Sequence, residues 1–129
     1  MTAALARWLM AGTGGLQLLL NLLSLARGLP RIRQETADGA LPERFGDLLS
    51  VAWSYSGVAN LCVSALLVLV SGPASQGDPV ARRVAWAIGL YYVALGPVLY
   101  LTGLRRHAGL FVFSLLGLLV LAALRFGRG

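Results

Sequence analysis

Four apolar blocks dominate the sequence, running from Trp8 to Ala26, from Asp47 to Val70, from Val84 to Gly103 and from Ala108 to Leu124. Each approaches the roughly 20 residues that a helix needs to cross about 30 Å of hydrocarbon. Backbone left unpaired in lipid costs several kcal/mol per group, and four segments are too few to close a barrel, so the blocks are expected to be helices. The expected fold is an all-α membrane protein with four transmembrane helices in a single bundle, residues 1–129 forming one domain. Composition points the same way. A chain of 129 residues that is 57% hydrophobic and 12% charged, with a mean hydropathy of +0.74, carries more apolar surface than a soluble core of that length can hide.

The links between the blocks read RGLPRIRQETADGALPER, SGPASQGDP and LRRH. The first reads as a long polar loop, and Pro73 and Pro79 are expected to stop the helices on either side of the second. The first block also has features of a signal peptide, with Arg7 ahead of it and Ser24-Leu25-Ala26 at the cleavage positions. Its length and the polar Gln17 and Asn21 favour a retained span. All eleven basic residues are arginine, a pattern of GC-rich coding that we read as placing the chain in a bacterial plasma membrane. These arginines lie between the blocks, level with anionic headgroups. Membrane lipids are thus the first expected partners, and a homo-oligomer or a larger membrane complex the second.

With four spans, Arg7, Arg82, Arg83, Arg125 and Arg128 fall on one side, and Arg27, Arg31, Arg33, Arg44, Arg105 and Arg106 on the other. The near balance leaves dual insertion open under the positive-inside rule. The four arginines concentrated in the first link lean that link toward the cytoplasm.

Polar residues inside the blocks fall on faces. At 100° per residue, Asp47, Ser50, Ser54, Gly57, Asn60 and Ser64 share about 140° of the wheel, while Leu49, Ala52, Val63, Leu67 and Val70 point elsewhere. Thr13, Gln17, Asn21 and Ser24 follow helical spacing in the first block. The third stacks Ala85, Gly89, Tyr92, Gly96, Tyr100 and Gly103, and the fourth offers Ser114 and Gly117. Two readings apply to each face. Amides and hydroxyls serve as interhelical hydrogen-bond glue, with glycines allowing close approach, or they line a cavity for a ligand. Pro97 is expected to free backbone groups one turn earlier, and Trp53, Trp86 and Tyr91 fit interfacial anchors.

The topology also gathers Asn21, Asp47, Ser50, Tyr100, Arg105, Arg106 and His107 on one side, with Glu43 just before. Asp47 at the hydrocarbon edge needs a partner, and Arg105 or Arg106 is the one that the topology supplies. That pair is either a structural clamp or part of a site. The ligand-binding candidates are therefore Gln17, Asn21, Asp47, Ser50, Ser54, Tyr100 and His107.

Other chemistry is excluded. Cys62 is the only cysteine, so neither a disulfide within the chain nor a thiolate metal cage can form, and it reads as a small buried hydrophobe. One histidine and no zinc, phosphate-loop or nucleophile motif argue against a metal site or a cofactor. Basic runs interleaved with aromatics, as nucleic acid would require, are missing. The length is similar to that of the small multidrug-resistance exporters, but AGTGGLQLLLN lacks their embedded glutamate. The long first link resembles that of the membrane-associated eicosanoid and glutathione enzymes, but FGDLLSVAWSYSGVANL lacks their asparagine-glutamate pattern. The expectation is a small multi-pass protein with a polar-lined intramembrane cavity for a lipophilic or lipid-like molecule, or an accessory subunit of a membrane complex. A membrane-embedded enzyme using Asp47, Tyr100 or His107, and a small dual-topology transporter, are the alternatives.

Overall fold

The computed structural model describes residues 2–101 and 111–127. Among them are four helices and no strand: α1 (Ala3–Ala37), α2 (Glu43–Ser75), α3 (Pro79–Leu101) and α4 (Phe111–Phe126). Two of these, α1 and α2, are long and apolar enough to cross a membrane. The third link, with Arg105, Arg106 and His107, lies outside the described residues, as do the expected ends of the third and fourth blocks at Gly103 and Ala108.

The helices overrun the apolar blocks, which corrects both described links. The first link is mostly helix. With 35 residues, α1 is about 52 Å long at 1.5 Å per residue and continues through Pro30 to Ala37. Its polar end is supported by an i,i+4 ion pair from Arg31 Nε to Glu35 Oε1 at 3.2 Å, and by Thr36 Oγ1 donating to the Ile32 carbonyl at 2.8 Å. What stops α1 is Gly39, at φ +76°, with Gly39 N–H donating to the Thr36 carbonyl and Ala40 N–H to the Glu35 carbonyl. This is the Schellman pattern, which needs the left-handed conformation that glycine adopts without strain.

The second link shrinks in the same way. Pro73 does not stop α2 but lies inside it, and the helix ends two residues later at Ser75. Gly77, at φ +92°, repeats the Schellman pattern: its N–H bonds to the Ala74 carbonyl and that of Asp78 to the Pro73 carbonyl. Asp78 then caps α3, its Oδ2 accepting from Ala81 N–H at 2.8 Å, and Pro79 takes the first helical position, where a missing N–H costs nothing. The expectation for Pro79 therefore holds.

The chain divides into two compact units, one of residues 1–15 and 66–129, the other of residues 16–65. The first gathers four helical segments around Met10, Leu67, Ala85, Tyr92, Val120 and Leu124, each at most 1% exposed. Within it α3 and α4 pack closely. A Cβ added at Gly117 would lie 2.6 Å from Val93 N and 2.7 Å from the Gly89 carbonyl oxygen, and Ser114 Oγ donates to the Val93 carbonyl at 2.8 Å. Ala85, Gly89, Tyr92 and Gly96 are buried as the expected face of the third helix. At one end of this unit the guanidinium of Arg82 donates to the Ala74 carbonyl (3.4 Å) and to the Leu124 carbonyl. One side chain thus meets carbonyls in the last turns of both α2 and α4, that of Ala74 being shared with the Gly77 N–H. Gly127 packs on Ala6 at the same end, which brings the beginning of α1 beside the residue after α4.

The second unit is a helical hairpin of the later part of α1 and the earlier part of α2. Leu25 packs over Gly57 and the Trp53 indole over Gly28, whose missing side chain gives the ring its seat. Trp53 Nε1 donates to the Ser24 carbonyl at 3.3 Å.

Candidate functional site

The polar face of α1 is buried where it was expected, over its first half: Thr13 is 4% exposed and Gln17 1%, whereas Asn21 is half-buried and Ser24 exposed. On α2 the buried line runs Ser64, Leu67, Ser71, Ala74 and Ser75, and Ser50, Ser54 and Asn60 are half-buried. Leu67 therefore faces inward, contrary to the helical-wheel expectation. Asp47 is exposed, and so is Cys62, which corrects the reading of that thiol as a buried hydrophobe. The hairpin explains both, because two helices cover only the strip along which they touch.

Several polar groups satisfy themselves within their own helix. Ser54 Oγ donates to the Ser50 carbonyl, Ser71 Oγ to that of Val68 and Ser75 Oγ to that of Gly72, at 2.7–2.8 Å. Asn21 Nδ2 donates to the Gln17 carbonyl at 2.8 Å. These bonds spare the hydroxyls and the amide an orphan's cost in an apolar setting, but they join no helix to another.

Gln17 is the exception. Its Nε2 is buried and has no hydrogen-bond partner, the one such side-chain nitrogen or oxygen among the described residues. A buried amide donor left unmade costs about 1–3 kcal/mol, so this nitrogen stands out among the described residues as a donor without an acceptor.

Two open grooves lie on the hairpin. One, of about 360 Å³, is lined by Arg33, Thr36, Glu43, Gly46, Asp47 and Ser50. It joins Asp47 and Ser50, two of the candidates, with Arg33, which the sequence did not single out. Asp47 makes no ion pair among the described residues, where the one salt bridge is Arg31 to Glu35. Its expected partners, Arg105 and Arg106, lie outside them. Being exposed at the polar end of the hairpin, Asp47 bears little of the desolvation that would demand a partner. The second groove, of about 450 Å³, has a more apolar lining that includes Arg27, Gly28, Arg31, Leu49 and Trp53.

Gln17, Asn21, Ser54 and Tyr100 line neither groove. Tyr100 belongs to the four-segment unit, where its ring is tilted against Phe111 at a centroid distance of 5.3 Å. His107 lies outside the described residues. The residues that sequence reasoning did not single out are Arg27 and Arg31 on the hairpin and Arg82 on α3, while Trp53, read there as an interfacial anchor, lines the second groove. The signal was present for the two hairpin arginines: Arg27, Gly28, Arg31 and Glu35 continue the helical spacing of Ser24, but beyond Ala26 in a stretch read as loop. The chain matches no protein-family model, no curated protein and no solved structure in the comparisons made.

Proposed function

We propose that the chain is a multi-pass integral membrane protein of four spans that binds a small lipophilic or lipid-like molecule through the polar face of its first helix. Support for the membrane comes from exposure. Only 22% of the most apolar stretch of α1 is buried, and the same share of α2. A core helix of a water-soluble protein would be mostly covered, whereas Leu19, Leu22, Val51, Val58, Leu69 and others are at least half exposed here. Lipid satisfies such a surface. For α3, the sequence from Val84 to Leu101 carries no charged residue, which fits a third span.

The single observation that carries the ligand reading is the orphan amide of Gln17. As interhelical glue it would donate to a neighbouring helix, and among the described residues it does not. A ligand carbonyl, ether or ester oxygen is the complement such a donor asks for. A noncatalytic binding role fits better than acid-base catalysis, because exposed Asp47 makes no hydrogen bond or ion pair with a described residue that would tune it.

The test measures stability and ligand together. Gln17→Leu removes the orphan, so thermal stability in detergent is expected to hold or to rise by about 1–3 kcal/mol, while any co-purifying small molecule seen by native mass spectrometry is lost. A variant that loses stability yet retains the molecule would mark Gln17 as packing, and the cavity reading would fall.

A further inference from the structure

We propose that the groove beside Arg27 and Trp53 holds a single anionic phospholipid, its phosphate on Arg27 and Arg31 and an acyl chain along the apolar floor. The inference rests on the membrane reading but is separate from Gln17. Four observations converge on it.

The first is position. Arg27 is the first charge after the uncharged stretch from Trp8 to Ala26, and on α2 Asp47 is the last before another such stretch. The groove therefore straddles the level at which hydrocarbon gives way to headgroups, where an indole also prefers to lie.

The second is charge. Arg27 has no hydrogen-bond or ion-pair partner among the described residues, and Arg31 engages only through Nε with Glu35, leaving its terminal nitrogens open. A guanidinium offers phosphate two parallel donors. Glu35 opposes an anion, but it is tied to Arg31 and sits two turns beyond Arg27, at the outer end of the groove.

The third is the floor. Ile32, 7% exposed, Leu49 and the Trp53 ring leave an apolar trough that a free inorganic anion would not cover. The fourth is that the trough is built: Gly28 seats the indole, and the bond from Trp53 Nε1 to the Ser24 carbonyl fixes its angle. At about 450 Å³ the space suits a headgroup and the start of one chain.

Trp53 is itself the reporter. In a Trp8→Phe, Trp86→Phe chain reconstituted in phosphatidylcholine vesicles, bromine-labelled phosphatidylglycerol is expected to quench Trp53 with about 25-fold preference over bromine-labelled phosphatidylcholine. Arg27→Gln and Arg31→Gln should each lower that preference by roughly fivefold, Arg27→Lys should restore part of it, and Arg44→Gln, outside the groove, should leave it intact. Equal quenching by the two lipids, or a preference that survives Arg27→Gln and Arg31→Gln together, would overturn the site while leaving the membrane reading standing. No quenching by either lipid would overturn both.

Discussion

Gly117 is where the packing of this protein is least forgiving. An added methyl there meets main chain, at Val93 N and the Gly89 carbonyl, and main chain cannot rotate away as a side chain can. Gly117→Ala should therefore force α3 and α4 apart and cost roughly 1–3 kcal/mol, read as a lowered Tm in detergent. Gly12→Ala is the control: nothing lies within 4 Å of the added atom, and alanine is favoured over glycine in a helix interior by about 1 kcal/mol, so its Tm should hold or rise. At this scale sequence reasoning reached the small face of α3 and both contact residues of α4, because small residues at helical spacing have few uses other than close approach. It misplaced Cys62 and Leu67, whose burial depends on how many helices surround that stretch of α2. No periodicity contains that number. Nor could spacing distinguish Gln17, whose Nε2 has no partner among the described residues, from Asn21, which turns back onto its own helix.

The elements show a different limit. The ends of the second link were read from Pro73 and Pro79; Pro79 does open α3, but Pro73 lies inside α2, as Pro30 lies inside α1, and the two described turns are set by Gly39 and Gly77. A proline removes one donor and leaves the rest of the ladder able to continue, whereas a left-handed glycine reverses the chain. The polar composition of residues 27–37 concealed helix for a related reason, since a helix with water on most sides needs no apolar stripe when an ion pair such as Arg31 to Glu35 supports it. Arg82 is the element-scale link, joining the ends of α2 and α4 from the first turn of α3. Arg82→Gln should cost about 1.5–3 kcal/mol, the worth of hydrogen bonds from a charged donor, and should loosen the ends of both helices in hydrogen exchange. Its exposed neighbour makes the comparison, with Arg83→Gln expected to stay within about 0.5 kcal/mol.

For the whole molecule the central claim is that the exposed apolar surface of α1 and α2 lies in lipid and that the chain crosses it four times. The contact of Ala6 with Gly127 and the bonds of Arg82 already place the start of α1, the end of α2, the start of α3 and the end of α4 together within their unit. An up-and-down path through a bilayer requires that grouping. Single cysteines at the exposed positions Thr2, Ala40, Gln76 and Arg125, in a Cys62→Ser background, test it by labelling in sealed vesicles with a thiol reagent that cannot cross the membrane. Thr2, Gln76 and Arg125 should label together and Ala40 from the opposite face. Labelling of Thr2 and Arg125 from opposite faces, or of Ala40 from the same face as Thr2 and Gln76, would contradict the four-span account.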